Sequence, residues 1–257
     1  MQDFQGKVAV VTGAGRGIGR ATALALAENG ADVALAARSE DQLQAVAEEI
    51  RELGRRALVV PTNAAKTENL EAFVAQTMDT FGRIDIVINN VGGSMPKDFL
   101  STTEKDFEGA FHFNVTTAFA LSKAAVPHMQ ADGGAIVNIS SSIGQMTGKG
   151  FAAYGTAKGA MTHFTKLLAE DLAPKIRVNA IAVGSTATSA LETVLTNDAV
   201  HNAMVEATPL KRLGEPEDMA LGALYLASPA SAFVTGSVLD IHGGITSANL
   251  DLGIAGL

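Results

Sequence analysis

The chain has 257 residues, no cysteine and a formal charge of −8, a length that can bury a full core without covalent staples. Missing cysteine excludes disulfides, thiolate catalysis and Cys-bound zinc, and the acidic balance argues against a nucleic-acid surface, which needs clustered Lys and Arg. No apolar run reaches membrane-spanning length, and the opening "MQDFQGKVAVVTG" does not read as a secretory signal, so a soluble, cytoplasmic protein without a membrane partner is expected.

In chain order, seven short β-branched runs appear: "KVAVVTG", "ADVALAAR", "RALVVPTN", "IDIVINN", "GAIVNISS", "IRVNAIAVG" and "SVLDIHGG". Each reads as a strand buried on both faces, as in a parallel sheet. Ala-rich helical patterns fill the intervals at 17–29, 40–53, 67–81, 103–130, 152–173 and 215–228. This alternation predicts a Rossmann-type doubly wound α/β fold, a seven-stranded parallel sheet with helices on both faces. No linker, charge block or repeat divides it, so 1–257 reads as one domain. Ligands of such folds sit beyond the carboxyl ends of the strands. That directs attention to Gly13–Gly19, Arg38, Asn63, Asn89–Gly93, Ser140–Ser142 and Val183–Thr188.

The first of these, "TGAGRGIG", places Gly13, Gly15, Gly17 and Gly19 between a strand and a helix, with Arg16 and Ile18 among them. Glycines there permit a tight turn and close approach of a pyrophosphate to a helix N-terminus. In this context the cluster reads as a dinucleotide-binding loop. The second strand ends in Ala37 and Arg38, where a carboxylate would hold the ribose hydroxyls of NAD(H). A guanidinium suits a 2′-phosphate instead. With Arg16 nearby, NADP(H) is favoured and NAD(H) stays open.

Further on, "AAYGTAK" sets Lys158 four residues after Tyr154, one of only two tyrosines. In a helix the two share a face. An isolated pair of this kind reads first as a solvated surface pair, and proton transfer needs a pocket, a cofactor and a group to hold the electrophile.

Taken together, these residues resemble the short-chain dehydrogenases/reductases in their single-domain form. The match runs through "TGAGRGIG", "NNVGG" at 89–93, Asn114 in "FHFNVTTAF", "NISSSIG", "YGTAK", "IRVNAIAVGSTAT", "RLGEPEDMA" and "TGSVLDIHGG". The resemblance implies a catalytic set: Tyr154 as general acid/base, Lys158 on the nicotinamide ribose, Ser141 on the substrate oxygen, and Asn114 behind the lysine. Ser141 lies thirteen residues before Tyr154, the family separation, with Ser140 and Ser142 as neighbouring alternatives. It also implies coenzyme contacts at Asn63, Asn90, Val91, Gly92, Gly184, Thr186 and Thr188, besides Tyr154 and Lys158. Departures are Val91 for the family's alanine, Val183 for its proline, His242 for its aspartate and Asn63 for its aspartate.

A free phenol titrates near 10, so bringing it to neutrality takes roughly 4 kcal/mol. An ammonium about 4 Å away at an effective dielectric near 20 supplies roughly that much. Ser94, Met95, Gln145, Met146 and Phe151 flank the expected pocket, and in a substrate lid at 189–210 Leu191, Val194, Leu195 and Met204 either face the substrate or pack on the domain. This apolar lining favours a bulky, uncharged ketone or alcohol. Parts resemble bacterial hydroxysteroid dehydrogenases and others 3-oxoacyl carrier-protein reductases; an acidic carrier would want a basic patch such as Lys97, Lys149, Lys211 and Arg212. A catalytically silent nicotinamide-binding regulator is a further alternative. The family assembles mostly as homotetramers through the helices at 103–130 and 152–173 and the last strand. The tail at 245–257 is apolar enough to dock on a neighbouring subunit.

Overall fold

The seven apolar runs become seven strands: β1 (Val8–Thr12), β2 (Asp32–Ala37), β3 (Ala57–Pro61), β4 (Ile86–Asn89), β5 (Gly134–Ile139), β6 (Ile176–Val183) and β7 (Val238–Ile241). All pair in parallel in one sheet of order β3-β2-β1-β4-β5-β6-β7. The computed structural model describes residues 3–188, 191, 196–250 and 253. The order reverses between β1 and β4, which opens a crevice at their carboxyl ends.

Helices α1 (Gly17–Glu28), α2 (Glu40–Glu52), α3 (Thr67–Phe81), α4 (Glu104–Phe111), α5 (Thr117–Met129), α6 (Ala152–Leu172), α7 (Asp198–Glu206) and α8 (Pro216–Ala227) connect the strands. Their apolar stripes cover both faces of the sheet. Ala9 and Val11 of β1 pack with Leu26, Leu43, Ile50 and Met219 on one side. Val10, between them, packs with Phe73, Leu121, Met129 and Ile136 on the other. This is the period-2 alternation of a strand buried on both faces. Truncating Phe73 to Ala would cost about 3–5 kcal/mol. Start signals hold locally: Thr103 and Asp106 form a capping box before α4, and Pro216 opens α8.

Two elements differ from the sequence expectation. The helix expected over 103–130 is interrupted by a π-helical turn at His112–Thr116. Within it the Asn114 amide donates to the Ala110 carbonyl at 2.8 Å, so a side chain occupies part of the helical ladder. Helix α7 lies inside the stretch read as a lid; Asn197 caps it by accepting from the Ala199 and Val200 amides. Residues 189, 190 and 192–195, with Val194 and Leu195, lie outside the described residues.

Polar groups also cross the core. Asn89 and Asn138 are cross-strand partners. The Asn89 amide donates to Asn138 Oδ1 at 2.8 Å and Ser122 Oγ at 3.0 Å, and the Asn138 amide donates to Thr165 Oγ1 at 2.9 Å. These bonds lock β4, β5, α5 and α6 together next to Asn90 and Ser141. At the opposite end of the sheet Asp32 pairs with Arg55 and Arg56, and Asp85 with Lys7 and Arg83. Burial pushes both carboxyls up, and hydrogen bonds from these cations and from backbone amides outweigh it and hold them below the ordinary range. Phe107, Phe111, Phe119 and Leu167 stand exposed along α4 to α6. Among the described residues no helix is long and apolar enough to cross a membrane.

Candidate active site

The glycine loop leaves β1 at Thr12 and enters α1 at Gly17. Close packing, more than turn geometry, demands its last glycine: a Cβ on Gly19 would collide with the Gly13 carbonyl and stand 2.5 Å from Asn90 Nδ2. Asn90 itself donates to the Thr12 and Gly13 carbonyls at 3.0 and 3.3 Å. Its amide therefore shapes the loop, which leaves less of it for a ligand. Val91 flanks Gly13, and Ile18 packs on the core edge. Arg16 is exposed at the N-cap of α1, and Arg38 is exposed after β2. Asn63, exposed after β3, accepts from the Ala65 amide. The loop after β6 reaches the same place: Thr188 Cγ2 would stand 3.3 Å from a Cβ on Gly17. Thr186 is buried there, donating to the Gly184 carbonyl, while Gly184 lies against the His242 backbone. This cradle of glycines, free amides and two exposed arginines fits a dinucleotide.

Across the crevice, four side chains converge. Tyr154 and Lys158 lie one turn apart on α6, with Lys158 Nζ 5.8 Å from the Tyr154 ring centroid. Ser141, after β5, stands beside the Tyr154 phenol, and its hydroxyl donates to the Val183 carbonyl at 3.4 Å. Neighbouring Ser140 turns the other way, donating to the Lys158 carbonyl at 3.1 Å, and Ser142 is buried. Asn114 joins from the π turn, where Oδ1 accepts from the Gly93 amide at 2.9 Å and Nδ2 donates to the Gly93 carbonyl at 3.1 Å. Asn114 and Lys158 meet at Gly92. A Cβ there would stand 2.6 Å from Asn114 Oδ1 and 2.9 Å from Lys158 Nζ.

The electrostatics differ from the sequence arithmetic. Lys158 is 3% exposed and donates to the Ile139 carbonyl at 2.8 Å. Burial lowers its ammonium to about 8. Burial also pushes the Tyr154 phenol up, a shift that the neighbouring Ser141 hydroxyl opposes. An ammonium at the observed separation, committed to a carbonyl, does not bring the phenol to neutrality within the chain alone. The site thus holds a protonated phenol, a hydroxyl beside it and a buried cation, a set that can deliver a proton to an oxygen atom.

Of the residues expected on the substrate side, Met95 is 85% exposed on the loop after β4, and Ser94 and Met146 are half-buried. The Phe151 ring lies 6.4 Å from the Tyr154 ring. The Lys97 amide donates to the Gly150 carbonyl at 2.9 Å, which joins the two loops that carry these residues. Gln145 is turned aside, donating to Asp240 of β7 at 3.0 Å. Leu191 donates its amide to the Thr188 carbonyl, and Met204 is buried in packing. Three features lie outside the sequence expectation: the Ile139 carbonyl, the π turn, and the docking of residues 245–250 on their own chain. Only the last left a sequence trace, polar Ser247 and Asn249 inside an apolar tail. The rest of that tail, apart from Gly253, lies outside the described residues.

Comparison with known proteins identifies the family. A family described as enoyl-(acyl carrier protein) reductase matches residues 13–246. An uncharacterized oxidoreductase of Mycobacterium tuberculosis is 54% identical over 98% of this chain and 96% of its own. A 3-oxoacyl-[acyl-carrier-protein] reductase of Vibrio cholerae is 36% identical over 95% of this chain and 98% of its own. The solved structure of a 7α-hydroxysteroid dehydrogenase, complexed with NADH and 7-oxo glycochenodeoxycholic acid, superposes with a TM-score of 0.91 at 35% identity, covering 96% of this chain and 97% of its own. The chain belongs to the short-chain dehydrogenase/reductase family of nicotinamide-dependent oxidoreductases.

Proposed function

We propose that this chain is a single-domain NADP(H)-dependent oxidoreductase that interconverts a bulky, apolar ketone and its secondary alcohol, working as a cytoplasmic homotetramer. The observation that carries the reading is that Asn114 and Lys158 meet at Gly92, with Tyr154 one helical turn from Lys158 and Ser141 beside its phenol. The Gly13–Gly19 amides and the α1 N-terminus would hold the pyrophosphate. Arg16 and Arg38, neither in a salt bridge among the described residues, suit a 2′-phosphate. Asn63 would meet the adenine end, with Val91, Gly92 and Thr188 at the nicotinamide end and Lys158 on its ribose. Bound there, the coenzyme supplies the hydride for the carbonyl carbon.

In reduction, Tyr154 gives its phenolic proton to the substrate oxygen, and Ser141 donates a hydrogen bond to the same oxygen as negative charge develops. Burial keeps the phenol protonated until that moment. Lys158, held by the Ile139 carbonyl, then stabilises the phenolate left behind, while Asn114 fixes Gly93 through both its amide and its carbonyl. Exposed Met95, Phe99 and Leu100, with Met146 and Phe151, offer apolar contacts at the entrance. A 3-oxoacyl thioester on a carrier protein is the second reading. Against it, Lys97, Lys211 and Arg212 already pair with Asp106, Glu206 and Asp218, which compete with an acidic carrier. Exposed Phe107, Phe111, Phe119 and Leu167 supply apolar area for assembly.

The test follows NADPH and NADH absorbance with steroid-like, aryl-alkyl and 3-oxoacyl thioester ketones. Tyr154→Phe is expected to lower kcat by about a thousandfold while NADPH binding stays within about twofold. Undiminished turnover in that variant removes the assignment. NADPH binding without turnover on any ketone would favour the regulator.

A further inference from the structure

The segment after β7 folds back beside α7. The Leu210 amide donates to the Gly243 carbonyl at 3.1 Å, and a Cβ on Gly243 would stand 2.7 Å from Thr208 Cγ2. The contact ends at Asn249, which is half-buried and fully engaged. Its Oδ1 accepts from the Ser185 hydroxyl at 2.6 Å, and its Nδ2 donates to the Thr208 hydroxyl at 2.9 Å and the Met204 carbonyl at 3.3 Å. Thr208 is 3% exposed and gives its own proton to the Met204 carbonyl, so its oxygen depends on Asn249 for a donor. One residue earlier, the Ala248 amide donates to the Thr147 carbonyl at 3.2 Å, and its methyl covers Gly148, where a Cβ would stand 2.6 Å away.

Two consecutive residues thus join three segments that border the cleft. One is the loop from Ser141 to Phe151, the second is the loop after β6 with Thr186 and Thr188, and the third is the end of α7. The bonds of Asn249 span 64, 41 and 45 residues of sequence, so none of them is local helix or turn chemistry. A primary amide is suited to the task because it offers an acceptor and two donors on a short stem. Aspartate would keep the Ser185 bond but present a carboxylate to the Met204 carbonyl. The Ser185 loop is held on its other side as well, since its carbonyl accepts from the Gly214 amide and Ala187 donates to the Gly214 carbonyl at 2.8 Å.

We propose that Asn249 is a positioning residue for substrate: it ties the loop after β6, which carries Thr186 and Thr188, to the end of α7, so that the two segments are held together where substrate is received. The kinetic part of this assignment rests on the ketone reductase reading. Loosening these two segments weakens the hold on a bulky substrate without changing the groups that react. Asn249→Ala in the full chain is therefore expected to raise KM for the ketone by about tenfold while kcat stays within about twofold. Asn249→Asp should resemble it. In a cycle with Thr208→Val, the double variant should be impaired by less than the sum of the two single effects, because both remove the Asn249–Thr208 bond.

Hydrogen exchange of the coenzyme-free chain supplies a readout that does not depend on substrate. In Asn249→Ala the amides of 185–188 and of 204–211 should exchange faster together, while those of β1 and β4 keep their rates. Faster exchange in one segment only, or in neither, overturns the proposal. So does a loss of thermal stability with an unchanged KM, which would mark Asn249 as structural alone. If the unaltered chain reduces no ketone, the substrate reading fails by itself, and the exchange pattern still decides whether Asn249 couples the two segments.

Discussion

At the amino ends of the strands, Asp85 takes Lys7, Arg83 and the Val8 amide, and Asp32 takes Arg55 and Arg56; at the carboxyl ends, Arg16, Arg38 and Lys158 have no carboxylate within salt-bridge reach among the described residues. Both ends carry charge, and only one neutralises it internally. A buried carboxylate with its cations in place is a structural group, and removing it takes away several charge-assisted hydrogen bonds at once. A cation without a partner is held at some cost to stability, and it remains available to an anionic ligand. The contrast separates a stabilising end from a binding end within one sheet, and it can be broken by substitution at either.

The largest effect is expected at the paired end. Asp85→Asn should destabilise the fold by about 3 kcal/mol in urea unfolding at pH 7, with turnover of the folded fraction unchanged. The Asp85 carboxyl sits below its ordinary 3.8, so its contribution is present above that value and fades as pH falls towards the lower folded one. The gap between variant and parent should narrow accordingly in acid. At the binding end, Arg38→Glu should weaken NADPH binding by about a hundredfold, as a charge reversal beside a phosphate does. NADH should change far less in the same fluorescence titration. Equal losses for both coenzymes would mean that Arg38 does not read the 2′-phosphate.

The smallest effect runs in the opposite direction. Lys158 falls from 10.5 to about 8 on burial, so between those values the unfolded chain binds the extra proton and stability rises with pH. Below about 8 the penalty of burying the ammonium is present in full. Lys158→Met should therefore raise unfolding stability at pH 7 by about 1–2 kcal/mol, part of the gain being offset by the Ile139 carbonyl left without its donor. That gain should disappear as pH climbs towards 10.5. A variant less stable than its parent at pH 7 would show that the lysine is better satisfied than its burial implies.

Much of the architecture was legible in advance. Six helical stretches and seven strands appear close to their expected limits because apolar periods of 3.6 and 2 are written locally. The π turn was not legible, since it arises from Asn114 taking the Ala110 carbonyl inside a stretch whose pattern is helical throughout. Within the site, spacing placed Tyr154 and Lys158 on one helix face, and they stand there. It singled out Ser141 from its neighbours, and the Ser140 hydroxyl does turn away to the Lys158 carbonyl. Gln145 was expected at the pocket and is bonded to Asp240 instead, because β7 brings a carboxylate within its reach.

By itself the sequence determined the alternation of elements, the glycine loop at a helix start and the one-turn step from Tyr154 to Lys158. Each is a relation between residues a few positions apart, which backbone geometry fixes once the helix or strand exists. Tertiary packing alone decided that the phenol is pushed up, that Asn114 and Lys158 meet over a glycine, and that Asn249 joins Ser185 to Thr208. These depend on desolvation and on hydrogen-bond partners from distant segments, and neither exists until the sheet and its helices have closed around them.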